Sequence, residues 1–238
     1  MWEGDMTTSA VAKGLYPRDR TFTLPVELKP GKNLTLDTAL LGEILDAYHR
    51  QTDGPRSRVI SSRWGLHIIP AEARDTTGRW APAGSLLDTR IYIPVAGGRP
   101  FMHFRALCDA LTKASGIKII PGSHWLDQFF APNGIVPPYS RLLTEEEEKQ
   151  ISISWGANDV TAREALISLI ELSATTLSWD FRCNPQPWDR FCVFNLNPIQ
   201  ILVEGPDGKP QRKSLTHDRI KRTLIYLPHE KPPAPKAK

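Results

Sequence analysis

The stretch ISISWGANDVTAREALISLIELSATTLSWDFRC, residues 151–183, holds a complete strand–helix–strand unit. Ile151, Ile153 and Trp155 alternate with Ser152 and Ser154, the period of a strand with one buried face. Thr161-Ala-Arg-Glu164 has the spacing of a capping box, in which threonine and glutamate each accept from the other's backbone amide. Val160 and Ala165 stand where a hydrophobic staple closes, and Leu166, Leu169 and Ile170 form the apolar stripe of the helix. Leu177, Trp179, Phe181 and Cys183 then alternate with Ser178, Asp180 and Arg182. A loop with two prolines leads to residues 191–196, which predicts an antiparallel hairpin with one face on the core.

The same grammar extends upstream. Residues 89–95 read as a strand with Ile91, Ile93 and Val95 on one side. A helix over about 102–114 carries Phe104, Leu107, Cys108 and Leu111, Ser115-Gly116 closes it, and residues 117–120 resume as a strand. Farther upstream, residues 21–26 alternate Phe22, Leu24 and Val26 with polar residues and proline. A helix with Leu41, Ile44, Leu45 and Tyr48 on one face follows, capped by Asp37 or Thr35, and residues 58–64 and 66–71 read as strands. Beyond Pro198, residues 199–204 and 211–215 flank Gly-Pro-Asp-Gly-Lys-Pro, a turn signal for an exposed last hairpin.

These elements predict an α+β protein of repeated strand–helix–strand units. Its order is a disordered lead-in over 1–20, a βαββ unit over 21–87, and a βαβ–βαββ core with a terminal hairpin over 88–227. A disordered Pro/Lys tail covers 228–238. Residues 121–150, with four prolines and the acidic run 145–148, read as an insertion loop in which Thr144 and Glu147 cap one helical turn.

Composition narrows the function classes. A hydrophobic share of 40% across 238 residues supports a packed core, and 21 prolines argue for short, bounded elements. The net charge is +4 and the basic residues crowd the end, with Lys209, Arg212, Lys213, Arg219, Lys221 and Arg222 close together. Such a cluster is either an anion-binding surface or a solvated strand and tail. No apolar run is long enough for a membrane span, and residues 1–17 lack the apolar segment of a secretory signal. The expected location is periplasmic or secreted, with the signal peptide missing from this chain, or cytoplasmic if Met1 is the true start.

Ala-Leu recurs near the start of each apolar stripe, at Ala39-Leu40, Ala106-Leu107 and Ala165-Leu166. With this repeat, RALCDALTKASGIKII (residues 105–120) and VTAREAL (residues 160–166) make the region from about 88 to 197 resemble the short N-terminal domain shared by secretins and TonB-dependent receptors. That family runs βαβ–βαββ. The resemblance implies a non-enzymatic module of the bacterial cell envelope that binds protein partners or scaffolds them through exposed faces and strand edges. This chain departs from the pattern in its insertion at 121–150 and its extra N-terminal unit, and neither a secretin pore nor a receptor barrel follows.

Candidate chemistry is sparse. Cys183 and Cys192 end and begin the strands of one hairpin, so they are either a disulfide or two small core side chains. Cys108 lies on a helix stripe and reads as buried. The six histidines form no His-x-x-x-His pair and no Cys-x-x-Cys occurs, so no metal site is expected. No Gly-x-Ser-x-Gly elbow and no phosphate loop is present, and no cofactor is expected. His124-Trp-Leu-Asp127, in the insertion, is the stretch to inspect for an acid–base pair, and a small hydrolase-type enzyme with its site at the insertion is the alternative function. A nucleic-acid-binding reading rests on basicity alone, because alternation assigns Trp155, Trp179, Phe181 and Phe194 to the core. The sequence names neither the protein partner nor an oligomeric state.

Overall fold

The computed structural model describes residues 2–5, 37–51, 56–74, 79–123, 125–130, 144–184, 190–204, 206 and 208–214. In chain order these form β1 (Trp2–Asp5), α1 (Thr38–Gln51), β2 (Ser57–Ser62), β3 (Gly65–Pro70), β4 (Glu72–Arg74) and β5 (Trp80–Pro82). Next come β6 (Arg90–Gly98), α2 (Pro100–Ser115), β7 (Lys118–Pro121), α3 (Glu145–Ile151), β8 (Ile153–Thr161) and α4 (Ala162–Ile170). The hairpins β9 (Leu177–Cys183) with β10 (Phe191–Pro198) and β11 (Gln200–Glu204) with β12 (Pro210–Ser214) complete the described chain. The class is α+β, as the alternating periods predict.

The capping box is formed as spelled. Thr161 Oγ1 accepts from Glu164 N at 3.2 Å, and Glu164 Oε2 accepts from Thr161 N at 3.0 Å. This satisfies two orphan amides at the start of α4 and stabilises the helix by about 1 kcal/mol. α2 opens with Pro100, whose missing N–H costs nothing in the first turn, and closes at Gly116, where φ of 71° is open to glycine without strain. The two helices pack on each other. Phe104 of α2 meets Phe194 of β10 edge-on at 5.2 Å, and Trp155 of β8 donates to Ser168 Oγ of α4 at 3.0 Å. One core therefore joins this helical pair to two separate sheets.

The larger sheet has six strands in the order β2-β3-β1-β9-β10-β7. β1 runs parallel to both β3 and β9, β10 runs antiparallel to β9 and parallel to β7, and β2–β3 is an antiparallel hairpin. β6 and β8 make a separate antiparallel ribbon with two irregularities. In one, Asp159 takes a left-handed φ of 51°. In the other, Pro94 and Val95 bulge opposite Gly156, where a Cβ would come within 2.7 Å of the Val95 backbone. β4–β5 and β11–β12 are two-stranded.

Several boundaries differ from the sequence reading. Residues 2–5, read as lead-in, form an interior strand of the large sheet, because β3 and β9 both present backbone groups to them. Val95, read as inward with Ile91 and Ile93, is 64% exposed because the bulge breaks the alternation after Ile93. Ile151, read as the first strand residue, is the buried last residue of α3. That helix grows from the acidic run, helped by the Glu145–Lys149 ion pair, and ends where Ser152 Oγ donates back to Glu148 O. The 121–150 stretch thus carries the end of β7, a 3-10 turn at Leu126–Phe129 and α3. Residues 6–20, the 21–26 strand and the 228–238 tail lie outside the described residues.

Candidate functional site

Of the acid–base pair read in the insertion, His124 lies outside the described residues. Asp127 is 3% exposed and its carboxylate is spoken for. Oδ1 accepts from Phe101 N at 2.8 Å, and Oδ2 accepts from Arg99 Nε at 2.9 Å and Nη2 at 2.5 Å. Because Pro100 has no N–H, Phe101 supplies the first open amide of α2, and Asp127 caps the helix from a distant turn. Both oxygens are engaged by structural partners, which fixes the carboxylate at the start of α2. Ser123 anchors the same segment to β10 by accepting from Leu196 N at 2.6 Å and donating to Leu196 O at 2.9 Å.

Cys183 and Cys192 are direct register partners on β9 and β10, and their sulfurs are joined in a disulfide. Asn184 N donates to Phe191 O at the next pair, which makes the cysteine pair the closely spaced, non-hydrogen-bonded kind, with Cα atoms 3.9 Å apart. On the opposite face of the same hairpin, Asp180 accepts from Asn195 Nδ2 at 2.9 Å and from Asn197 Nδ2 at 3.1 Å. The disulfide and this polar ladder fix one register from two faces. Cys108 is buried in the core, and burial pushes its thiol well above the ordinary range, which removes it as a nucleophile.

Two histidines that the sequence did not single out sit in structural roles. His67 is fully buried beside Trp179, with ring centroids 4.9 Å apart, and its Nε2 lies 2.5 Å from Ser62 Oγ. Among the described residues its Nδ1 is buried without a partner. A proton on Nε2 leaves only a lone pair orphaned, and it makes Ser62 Oγ the acceptor from both His67 and Trp64 N. The pair closes the β2–β3 turn. Burial, with the Arg163 charge adding to it, lowers the His67 pKa to about 4. His49, in the last turn of α1, accepts from Ser57 N through Nε2 at 3.1 Å, and burial lowers its pKa too. A sequence signal for the first pair existed in Ser62 and His67 flanking a two-residue turn, but a hydroxyl and an imidazole at that spacing are common.

What the fold leaves open is backbone and apolar surface. Among the described strands, β6 and β8 each pair on one side only, and β2 and β7 end the large sheet. On β6, Tyr92 is 66% exposed, and Met102 stands exposed on the neighbouring α2. At one end of the ribbon, Arg90 Nε donates to Asp159 Oδ1 at 2.8 Å. Among the described residues no group of three or more His, Cys, Asp or Glu is placed to hold a metal ion, and no helix is long and apolar enough to cross a membrane. The chain matches no family model, no curated protein and no solved structure.

Proposed function

We propose that this chain is a bacterial cell-envelope module that binds protein partners or scaffolds them and performs no chemistry of its own. The observation that carries the reading is the element order β6-α2-β7 followed, after α3, by β8-α4-β9-β10, with α2 and α4 on one core and the outer edges of the β6–β8 ribbon unpaired among the described residues. That order is the one expected of the short N-terminal domain of secretins and TonB-dependent receptors. Open strand edges recruit partners because unpaired amides and carbonyls accept a further strand. The Cys183–Cys192 bridge supports an oxidising compartment such as the periplasm. Asp127 serves as a helix cap, so it lends nothing to the hydrolase alternative.

The test is expression from the native locus with a photo-crosslinking residue at position 92. Discrete crosslinked adducts in the envelope fraction, with Cys183 and Cys192 oxidised, are expected. A strictly cytosolic protein with both thiols free would overturn the reading.

A further inference from the structure

The β11–β12 hairpin stands outside the two sheets that line the core. Among the described residues its strands pair only with each other, from Gln200 opposite Ser214 to Glu204 opposite Pro210. Its root is fixed, because Ile199 N donates to Thr176 O at 2.9 Å just where β10 ends. Along β12, Pro210, Gln211, Arg212 and Lys213 are all exposed. Successive residues of a strand point to opposite faces, so both faces of β12 are uncovered at these positions. Arg212 and Lys213 therefore flank one open strand edge from its two sides. Neither enters an ion pair among the described residues, whereas Arg63, Arg90 and Lys149 are matched by Glu171, Asp159 and Glu145. A two-stranded hairpin with no neighbour is marginal in water and gains from a surface to lie on.

We propose that the β11–β12 hairpin docks edge-on against an anionic phospholipid surface, with lipid phosphates as the ligands of Arg212 and Lys213. The surface it meets rests on the cell-envelope reading above. From 209 to 222 the chain carries six basic residues and one acid, Asp218, so the basic cluster of the sequence begins on this hairpin. The neighbouring acids, Glu204 and Asp207, fall at its turn end in chain order, away from Arg212 and Lys213. Long cationic side chains on opposite faces both reach a plane laid along the edge between them, whereas a partner seated on one face meets only one of them. Near an anionic leaflet each such cation adds about fivefold to binding. Residues 200–214 hold no aromatic, so the hairpin offers no platform for stacked bases, which argues against single-stranded nucleic acid. The contact lies at headgroup level, because the amides of an open edge find no acceptor in hydrocarbon.

The test is sedimentation of the full chain with vesicles of phosphatidylcholine alone, or of two parts phosphatidylcholine to one of phosphatidylglycerol. Binding to the anionic vesicles only, weakening as salt rises, is expected. Arg212→Gln with Lys213→Gln should weaken it about 25-fold, the product of two cations. Arg58→Gln with Arg105→Gln removes the same charge at two exposed positions elsewhere and should leave binding within about twofold. All four positions are exposed, and an unchanged Tm in each variant shows that the fold is kept. Equal binding to neutral vesicles, no binding at low salt, or equal losses in the two double variants overturns the proposal. So does tighter binding to a DNA duplex at matched phosphate concentration, which makes the ligand a nucleic acid, or to polyglutamate, which makes it an acidic protein. Absent vesicle binding while crosslinks at position 92 persist in the envelope fraction would sink this inference and leave the partner-binding reading standing.

Discussion

The carboxylate of Asp127 lies 2.8 Å from the backbone nitrogen of Phe101, 26 residues earlier in the chain, and closes the N-terminus of α2 from outside that helix. A helix start with proline in its first turn and arginine before it has no side-chain cap of its own. The 121–130 stretch supplies one, so the segment read as an insertion is fastened to the core at its first turns.

Replacing Asp127 by alanine should therefore destabilise the fold by about 2–3 kcal/mol, since it uncaps α2 and strips Arg99 of its partner. Arg99 is half-exposed and rehydrates on loss of the pair, which keeps the effect below that of a fully buried ion pair. Asp127→Asn keeps an acceptor for Phe101 and should cost about 1 kcal/mol. Urea unfolding measures both. An alanine variant with an unchanged midpoint would remove the cap from the account.

Acid should weaken the protein through its histidines before its carboxylates. The folded-state pKa of His67 is lowered to about 4 by burial, against an ordinary value of 6.5. A depressed pKa contributes stability that is fully present above 6.5 and is lost as pH falls toward 4. His49, also lowered by burial, adds in the same direction. The His67 contribution is on the order of 3 kcal/mol over that window. Urea midpoints at pH 7 and pH 5 should differ in the native chain, and His67→Gln should flatten the difference. An equal slope in the variant would show that His67 does not carry the effect.

How much of this was legible in the sequence varies by element. The α4 cap, the two apolar helix stripes and the β9–β10 alternation were readable because each is set by neighbours within a few residues. The β6–β8 pairing was not, since its two strands are joined only through α2, β7 and the intervening segment, and long-range pairing leaves no local signature. Alternation alone places Val95 inward, and the bulge opposite Gly156 that turns it out leaves no mark on the strand that bends. The sequence marks Asp127 as an acid, and only the distant amide of Phe101 makes it a cap. The four residues of β1 carry too little pattern to announce a strand.

The disulfide makes a separate prediction. Cys183 and Cys192 close a short loop with a sequence separation of 9. Chain-entropy arguments give such a crosslink about 2–3 kcal/mol. Reductant should lower the urea midpoint accordingly, and the Cys183→Ser, Cys192→Ser double variant should lose its sensitivity to reductant. Cys108, buried with its thiol raised, should resist alkylation until the chain unfolds. Mass spectrometry of protein produced in an oxidising compartment tests both points, and two free thiols at 183 and 192 would end the bridge.

Gly156 offers the sharpest contrast between two glycines on one ribbon. A Cβ at 156 would lie 2.7 Å from Val95 Cα and N and 2.9 Å from Ile93 O, all backbone atoms that cannot swing aside. At Gly97, on the partner strand, a Cβ meets nothing within 4 Å. Gly156→Ala must therefore open the β6–β8 pairing at the bulge and should cost about 2–3 kcal/mol, the range of an overpacked core site. Gly97→Ala should fall within about 0.5 kcal/mol of the native chain, as an ordinary surface change does. If the ribbon is the partner-binding surface, Gly156→Ala should also reduce crosslinking at the exposed Tyr92, because the bulge that turns Val95 outward would shift with it. Equal stability of the two alanine variants would mean that the strands do not approach as closely at Gly156 as the geometry places them.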